Sequence, residues 1–168
     1  MRLTPAHLDM AVAALRAVLP LEHPADAILR HFFRESPELG VNDRPFIAET
    51  VFGILRHRFF LESATGDTAP RPLLLAYLVK FQGMNLRELA PLVTETEAKW
   101  LAEIKAVTLE SQPLAIQAEF PEWLVEKLQG FMVDADILTL GRSLQQAASL
   151  DLRVNTLLAT RDARAAVL

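Results

Sequence analysis

Guanidinium groups bind phosphate oxygens bidentately, and the chain concentrates such groups at Arg56-His57-Arg58, with Arg44 a few helical turns earlier. The same cations at a helix C-terminus would also oppose the macrodipole, so the cluster reads either as a phosphate-binding patch or as an ordinary helix end. Arg153 and Asn155 sit on alternate residues of an extended pattern and hence on one face, placed to reach RNA or to face solvent. Other chemistry is harder to assemble. Cysteine is absent, which removes thiol nucleophiles, thiolate metal sites and disulfides, and fits a cytoplasmic setting. The histidines at 7, 23, 31 and 57 lack the spacing to carboxylates that would gather ligands on one helix face, so no metal is expected. The acid pairs Glu95/Glu97 and Asp134/Asp136 fall near helix starts, where negative charge favours the dipole without doing acid-base work. The six glycines, at 40, 53, 66, 83, 130 and 141, are scattered singly and build no nucleotide-cradling loop.

The elements that must carry these residues read as helices. Thr4-Pro5 is a cap and first-turn signal, followed by Leu8, Val12, Leu15 and Leu19 at helical spacing until Pro20. A second helix spans Pro24 to about Glu35, with Ile28, Leu29, Phe32 and Phe33 as its apolar stripe. Asp43 caps a longer helix with Ile47, Val51, Ile54, Leu55 and Leu61 facing the core, expected to be the most buried element. Gly53 in its middle marks a close helix crossing, because a mid-helix glycine costs about 1 kcal/mol relative to alanine. After a turn-rich stretch at 66–72, Leu73 to Phe81 is apolar nearly all round and belongs inside the domain. A short turn at Leu86–Leu92 precedes the capping box Thr94/Glu97, which opens a helix through Trp100, Leu101 and Ile104. Further helices start near Phe120-Pro121-Glu122-Trp123 and at Asp134 or Asp136. Trp100, Trp123, Phe32, Phe33, Phe46 and Phe81 are assigned to packing, since aromatics at helical spacing in a chain that is 51% hydrophobic mostly fill the core. From Asp151 the pattern alternates through Leu157, predicting a strand, and Thr160-Arg161-Asp162 caps a further helix. A lone strand cannot satisfy its backbone, so the chain reads as a fragment of a longer protein.

With 168 residues the chain can bury a full core without disulfides or metal, and no apolar run reaches the roughly 18 residues of a membrane span. The net charge of −4 gives no global attraction to a polyanion, so any RNA contact must be local.

Asn42-Asp43-Arg44-Pro45-Phe46-Ile47-Ala48-Glu49-Thr50-Val51-Phe52-Gly53-Ile54-Leu55-Arg56 resembles the central helix of NusB-like domains. Phe120-Pro121-Glu122-Trp123-Leu124 and Leu150-Asp151-Leu152-Arg153-Val154-Asn155-Thr156-Leu157 resemble two consecutive landmarks of the Nol/Nop/Sun RNA cytosine-5 methyltransferases, in that family's order. The resemblance implies a NusB-like helical domain at 1–118, linking helices at 119–149 and the start of a small α/β RNA-binding domain at 150–168. It further implies a methyltransferase domain after Leu168 that uses S-adenosylmethionine on ribosomal or transfer RNA. Attack at cytosine C6 needs a thiolate, and a methyl donor is usually approached by a glycine-rich turn, so neither catalytic nor cofactor residues are expected within this chain. Arg44, Arg56, Arg58, Arg153 and Asn155 are the RNA-binding candidates. Two rival readings stand beside this one: a free-standing NusB-like RNA-binding or antitermination factor, and a helical protein-interaction module contacting, for example, a ribosomal protein.

Overall fold

Thr4 begins the first helix as its residue types require: its hydroxyl accepts the His7 backbone N–H at 3.3 Å, while the His7 ring Nδ1 accepts the Thr4 N–H at 3.1 Å. Helix α1 then runs Pro5–Val18 and buries Leu8, Ala11, Ala14, Leu15 and Val18. The computed structural model describes residues 3–146, 153–158 and 160–165, and every regular element among them is helical. Helices α2 (Ala25–Glu35), α3 (Asp43–Arg56), α4 (Arg58–Thr65) and α5 (Pro70–Lys80) follow. Beyond them come α6 (Leu86–Leu89) with a 3-10 turn at Ala90–Leu92, α7 (Glu95–Ala106), α8 (Leu114–Ala118), α9 (Glu122–Gln129), α10 (Asp134–Leu144) and α11 (Arg161–Ala165).

The most enclosed helix is α5, not the segment after Asp43. Leu73 to Val79 are all buried, because their apolar run leaves no face needing water, and α1, α3, α4 and α7 pack around it. Helix α3 is amphipathic instead, with Ile47, Val51 and Ile54 buried and Arg44, Glu49 and Arg56 exposed; Leu55 is only half-buried. Its crossing with α5 falls at Gly53, where a Cβ would lie 1.9 Å from the Tyr77 hydroxyl. The continuous helix expected from Asp43 to Leu61 is broken at His57, whose φ of −112° and ψ of 26° end α3 and start α4. The break leaves the Phe59 and Phe60 backbone N–H groups without intrahelical acceptors, and a distant side chain supplies them.

The capping box at Thr94 forms as expected and does more than cap. Glu97 accepts from the Thr94 N–H at 2.7 Å and takes both Arg71 Nε (2.6 Å) and Nη2 (3.2 Å), tying α7 to α5. The Arg71 hydrogen bonds hold the Glu97 carboxyl down at about 2, helped by Thr94 and opposed by burial. Since this lies below the ordinary carboxylate value, the contribution is complete above pH ~4.5 and fades as pH falls towards 2. Glu97→Ala is therefore expected to cost about 1–2 kcal/mol at pH 7, with the gap to wild type narrowing at pH 3 in urea titrations. A gap that does not change with pH would rule out the ion pair as its source.

A second, smaller apolar cluster gathers Ala118, Phe120, Val125 and Ile137, so α8 packs with α9 and α10. Helix α8, five residues long, was not expected from the sequence pattern; its final turn meets Gly141 of α10, where a Cβ would stand 2.4 Å from the Ala118 carbonyl oxygen. Trp123, expected in packing, is 58% exposed with Lys127 5.8 Å from its ring centroid, because α9 turns Val125 inward in its place. At the C-terminal end, the alternating segment forms no strand among the described residues. Arg153 to Asn155 is irregular, and Asn155 initiates a turn by accepting the Leu157 N–H at 3.1 Å and, through its backbone carbonyl, the Leu158 N–H at 3.0 Å. Leu152 lies outside the described residues, while the helix expected after Thr160 is present as α11.

Candidate functional site

Arg44 and Arg56 are both exposed on α3, and no acidic side chain pairs with either among the described residues. Twelve residues of helical rise separate them by about 18 Å, roughly a third of a turn apart in azimuth, so they do not form one cluster. Arg58 belongs to another element, the first turn of α4, and its Nε donates to Glu62 at 2.6 Å. Its charge is thus largely committed within the helix. Arg153 and Asn155 are exposed, but the turn uses the Asn155 carbonyl, and no hydrogen bond among the described residues joins either to α3. Of the five sequence-derived candidates, Arg44, Arg56 and Arg153 are exposed and have no side-chain partner among the described residues.

Arg56 has the more specialised surroundings. The adjoining His57 ring stacks on Phe81 with centroids 3.8 Å apart and planes 9° from parallel, and Phe60 meets Phe81 edge-on at 5.7 Å. Burial, together with the Arg56 charge, pushes the His57 pKa down to about 4, so its imidazole is neutral at physiological pH. Lys80 donates to the Lys105 and Val107 backbone carbonyls and lies 5.7 Å from the Phe60 ring centroid, fixing one more cation beside the aromatic group. Phe81, assigned to packing from its spacing, keeps 37% of its surface in solvent at the C-terminal end of α5.

Three polar arrangements escaped the sequence reading. Glu119 is the distant side chain that caps α4, accepting the Phe59 N–H at 2.8 Å and the Phe60 N–H at 3.1 Å. Desolvation raises its carboxyl to about 7, with Glu62 pushing the same way and the two N–H groups opposing. No local pattern marks it, since it sits 60 residues from Phe59. His7 bridges α1 to α3: its Nδ1 accepts from the Thr4 N–H, and its Nε2 is hydrogen-bonded to Asp43 Oδ1 at 3.0 Å. Asp43 Oδ2 in turn accepts from the Gly40 N–H at 2.9 Å, so Asp43 braces the approach to α3 instead of capping its free N–H groups. The third is the Arg71–Glu97 pair; of the three, only His7, three residues after Thr4, had a local signal, that of a capping box.

Beyond the helix ends, an open groove of about 860 Å³ runs between the start of α1, Phe46, the end of α5 and the α6 turn, lined by Leu3, Pro5, Leu78, Met84 and Leu92 with Arg87 and Glu88 at its edge. Among the described residues no three His, Asp or Glu side chains converge to hold a metal ion, and no helix is long and apolar enough to cross a membrane.

Among the described residues, these observations define an all-helical class of protein with two apolar clusters and a cationic, aromatic junction between α3, α4 and α5. No family model matches the chain, and no curated protein or solved structure matches it either.

Proposed function

We propose that this chain is the NusB-like N-terminal accessory domain of an S-adenosylmethionine-dependent RNA cytosine-5 methyltransferase, where it recruits or orients ribosomal or transfer RNA. The observation that carries the reading is the ordered set of sequence landmarks at 42–56, 120–124 and 150–157. Its supporting context is that every regular element among the described residues is helical, with the first landmark supplying α3 and the second supplying buried Phe120 and the first turn of α9. In this reading the domain contributes remote binding energy, which aligns the target base elsewhere without touching the reacting atoms.

This chain's own residues do not fit the methyl donor. The two glycines with positive φ, Gly66 and Gly83, end α4 and follow α5, so neither shapes a strand-to-helix cradle, and no cysteine is present to attack the ring. The reading therefore assigns the methyl donor and the nucleophile to sequence after Leu168. Reading the native gene past the Leu168 codon should reveal a glycine-rich loop and two cysteine-containing motifs, and an immediate stop codon would overturn the proposal. In the full-length enzyme, deleting 1–146 is expected to lower kcat/KM for RNA by about tenfold or more while leaving affinity for S-adenosylmethionine unchanged. Equal rates with and without the domain would remove its role in substrate recruitment.

A protein-contact reading has its own support in the exposure of Trp123, Phe131, Val133 and Leu144 on a chain of net charge −4. It predicts capture of a protein such as a ribosomal protein with no affinity for RNA.

A further inference from the structure

We propose that Phe81, backed by His57, is a stacking platform for one unpaired RNA base, and that Arg56 takes the adjoining phosphate. The inference rests on the RNA reading above and gives it a specific site. Single-stranded RNA is held by two complementary features, an aromatic plane that accepts any base and cations that follow the backbone. Both occur together at the α3–α4 break. The parallel His57 ring, 3.8 Å from Phe81, holds the phenyl plane in one orientation, and the edge-on Phe60 ring braces it from the side. The platform is thus preorganised, and stacking a base on it costs little side-chain entropy.

Electrostatics favour a nucleic acid over an apolar protein segment. Arg56 and Arg58 flank His57 in the chain and Lys80 lies 5.7 Å from the Phe60 ring centroid, whereas the nearby acids are occupied: Glu62 accepts from Arg58, and Glu119 caps Phe59 and Phe60. Arg56 alone among these cations is exposed and unpaired among the described residues, leaving its guanidinium free for a bidentate phosphate contact. An apolar partner would have to desolvate that guanidinium without compensation, at a net loss. The neutral state of His57 adds a further requirement: base stacking at this site is insensitive to pH between 6 and 8, unlike a site built on imidazolium.

The test uses residues 1–168 and fluorescence anisotropy with a labelled single-stranded 12-nucleotide oligouridylate, alongside a duplex RNA of equal length. Wild type should prefer the single strand. Phe81→Leu preserves apolar bulk and should fold normally yet bind about tenfold more weakly, whereas Phe81→Trp should bind at least as well as wild type. Arg56→Gln should weaken binding and reduce the slope of log affinity against log salt by about 0.7. Thermal melts followed by circular dichroism check that the variants are folded. Wild-type binding that is unaffected by Phe81→Leu and Arg56→Gln would overturn the platform while leaving RNA recruitment intact through another surface. Failure of wild type to bind the single strand would also overturn it. The methyltransferase reading stands or falls separately, on the gene sequence after Leu168.

Discussion

Gly53→Ala is expected to destabilise the protein by about 2 kcal/mol, although alanine is the better helix former by about 1 kcal/mol. The added Cβ would lie 1.9 Å from Tyr77 Oη and 2.3 Å from Cζ, well inside contact distance. The tyrosine cannot swing clear, because the residue is only 6% exposed within α5 and its hydroxyl accepts a hydrogen bond from Gln82 Nε2 at 3.1 Å. Relief requires α3 and α5 to separate, and that would loosen the packing of Val51 and Ile54 against the central helix. Urea denaturation of Gly53→Ala in wild-type and Tyr77→Leu backgrounds isolates the cause. In the Tyr77→Leu background the alanine should become neutral or stabilising, and an unchanged penalty would show that the crossing does not depend on this contact.

The second large effect concerns Glu119 and has an unusual sign. Its folded-state pKa of about 7 lies above the ordinary value of 4.5, so between these limits the native protein holds a proton that the unfolded chain has released. Stability from this group is complete below pH ~4.5 and declines as pH rises to 7, by at most about 3 kcal/mol, reduced by whatever solvent reaches the carboxyl. Glu119→Gln, which keeps one acceptor oxygen of the two, should flatten that part of the stability–pH profile, so that its difference from wild type changes between pH 4.5 and 7. Glu119→Ala should instead lose stability throughout, about 1–3 kcal/mol, because the Phe59 and Phe60 N–H groups lose their acceptor. Chemical denaturation from pH 4.5 to 8 separates these outcomes. Parallel slopes for wild type and Glu119→Gln would mean that another group governs the transition.

Both effects bear on the proposed RNA surface. Gly53 lies one helical turn before the His57 break, and Glu119 caps the helix that begins after it, linking the α8–α10 cluster to α4. Arg56, His57 and Phe81 are positioned between these two supports. A variant that disturbs either should weaken RNA binding indirectly, which is why the platform is tested with Phe81→Leu and Arg56→Gln rather than through stability alone.

Features whose energetics are local were legible from residue type and spacing. The Thr94/Glu97 capping box, the proline-led start of α1, and the burial of Leu73–Val79 each depend on residues within a few positions of one another, so residue type and spacing predict them. Gly53 was legible for a similar reason, since a costly mid-helix glycine needs a close neighbour even when that neighbour is not yet identified. The alternating residues before Leu157 show the limit of such patterns: a strand requires a second strand to accept its hydrogen bonds, and among the described residues none exists, so Asn155 forms a turn. Only the packed fold fixes where α3 ends, which cation at the α3–α4 break is unpaired among the described residues, and which aromatic ring there reaches solvent. The same holds for the long-range polar contacts, with Glu119 meeting Phe59 from 60 residues away, Asp43 meeting His7 from 36 away and Glu97 meeting Arg71 from 26 away. The physical reason is that a buried carboxylate or backbone N–H must find a partner somewhere in the fold, and packing of the apolar helices determines which partner comes within reach.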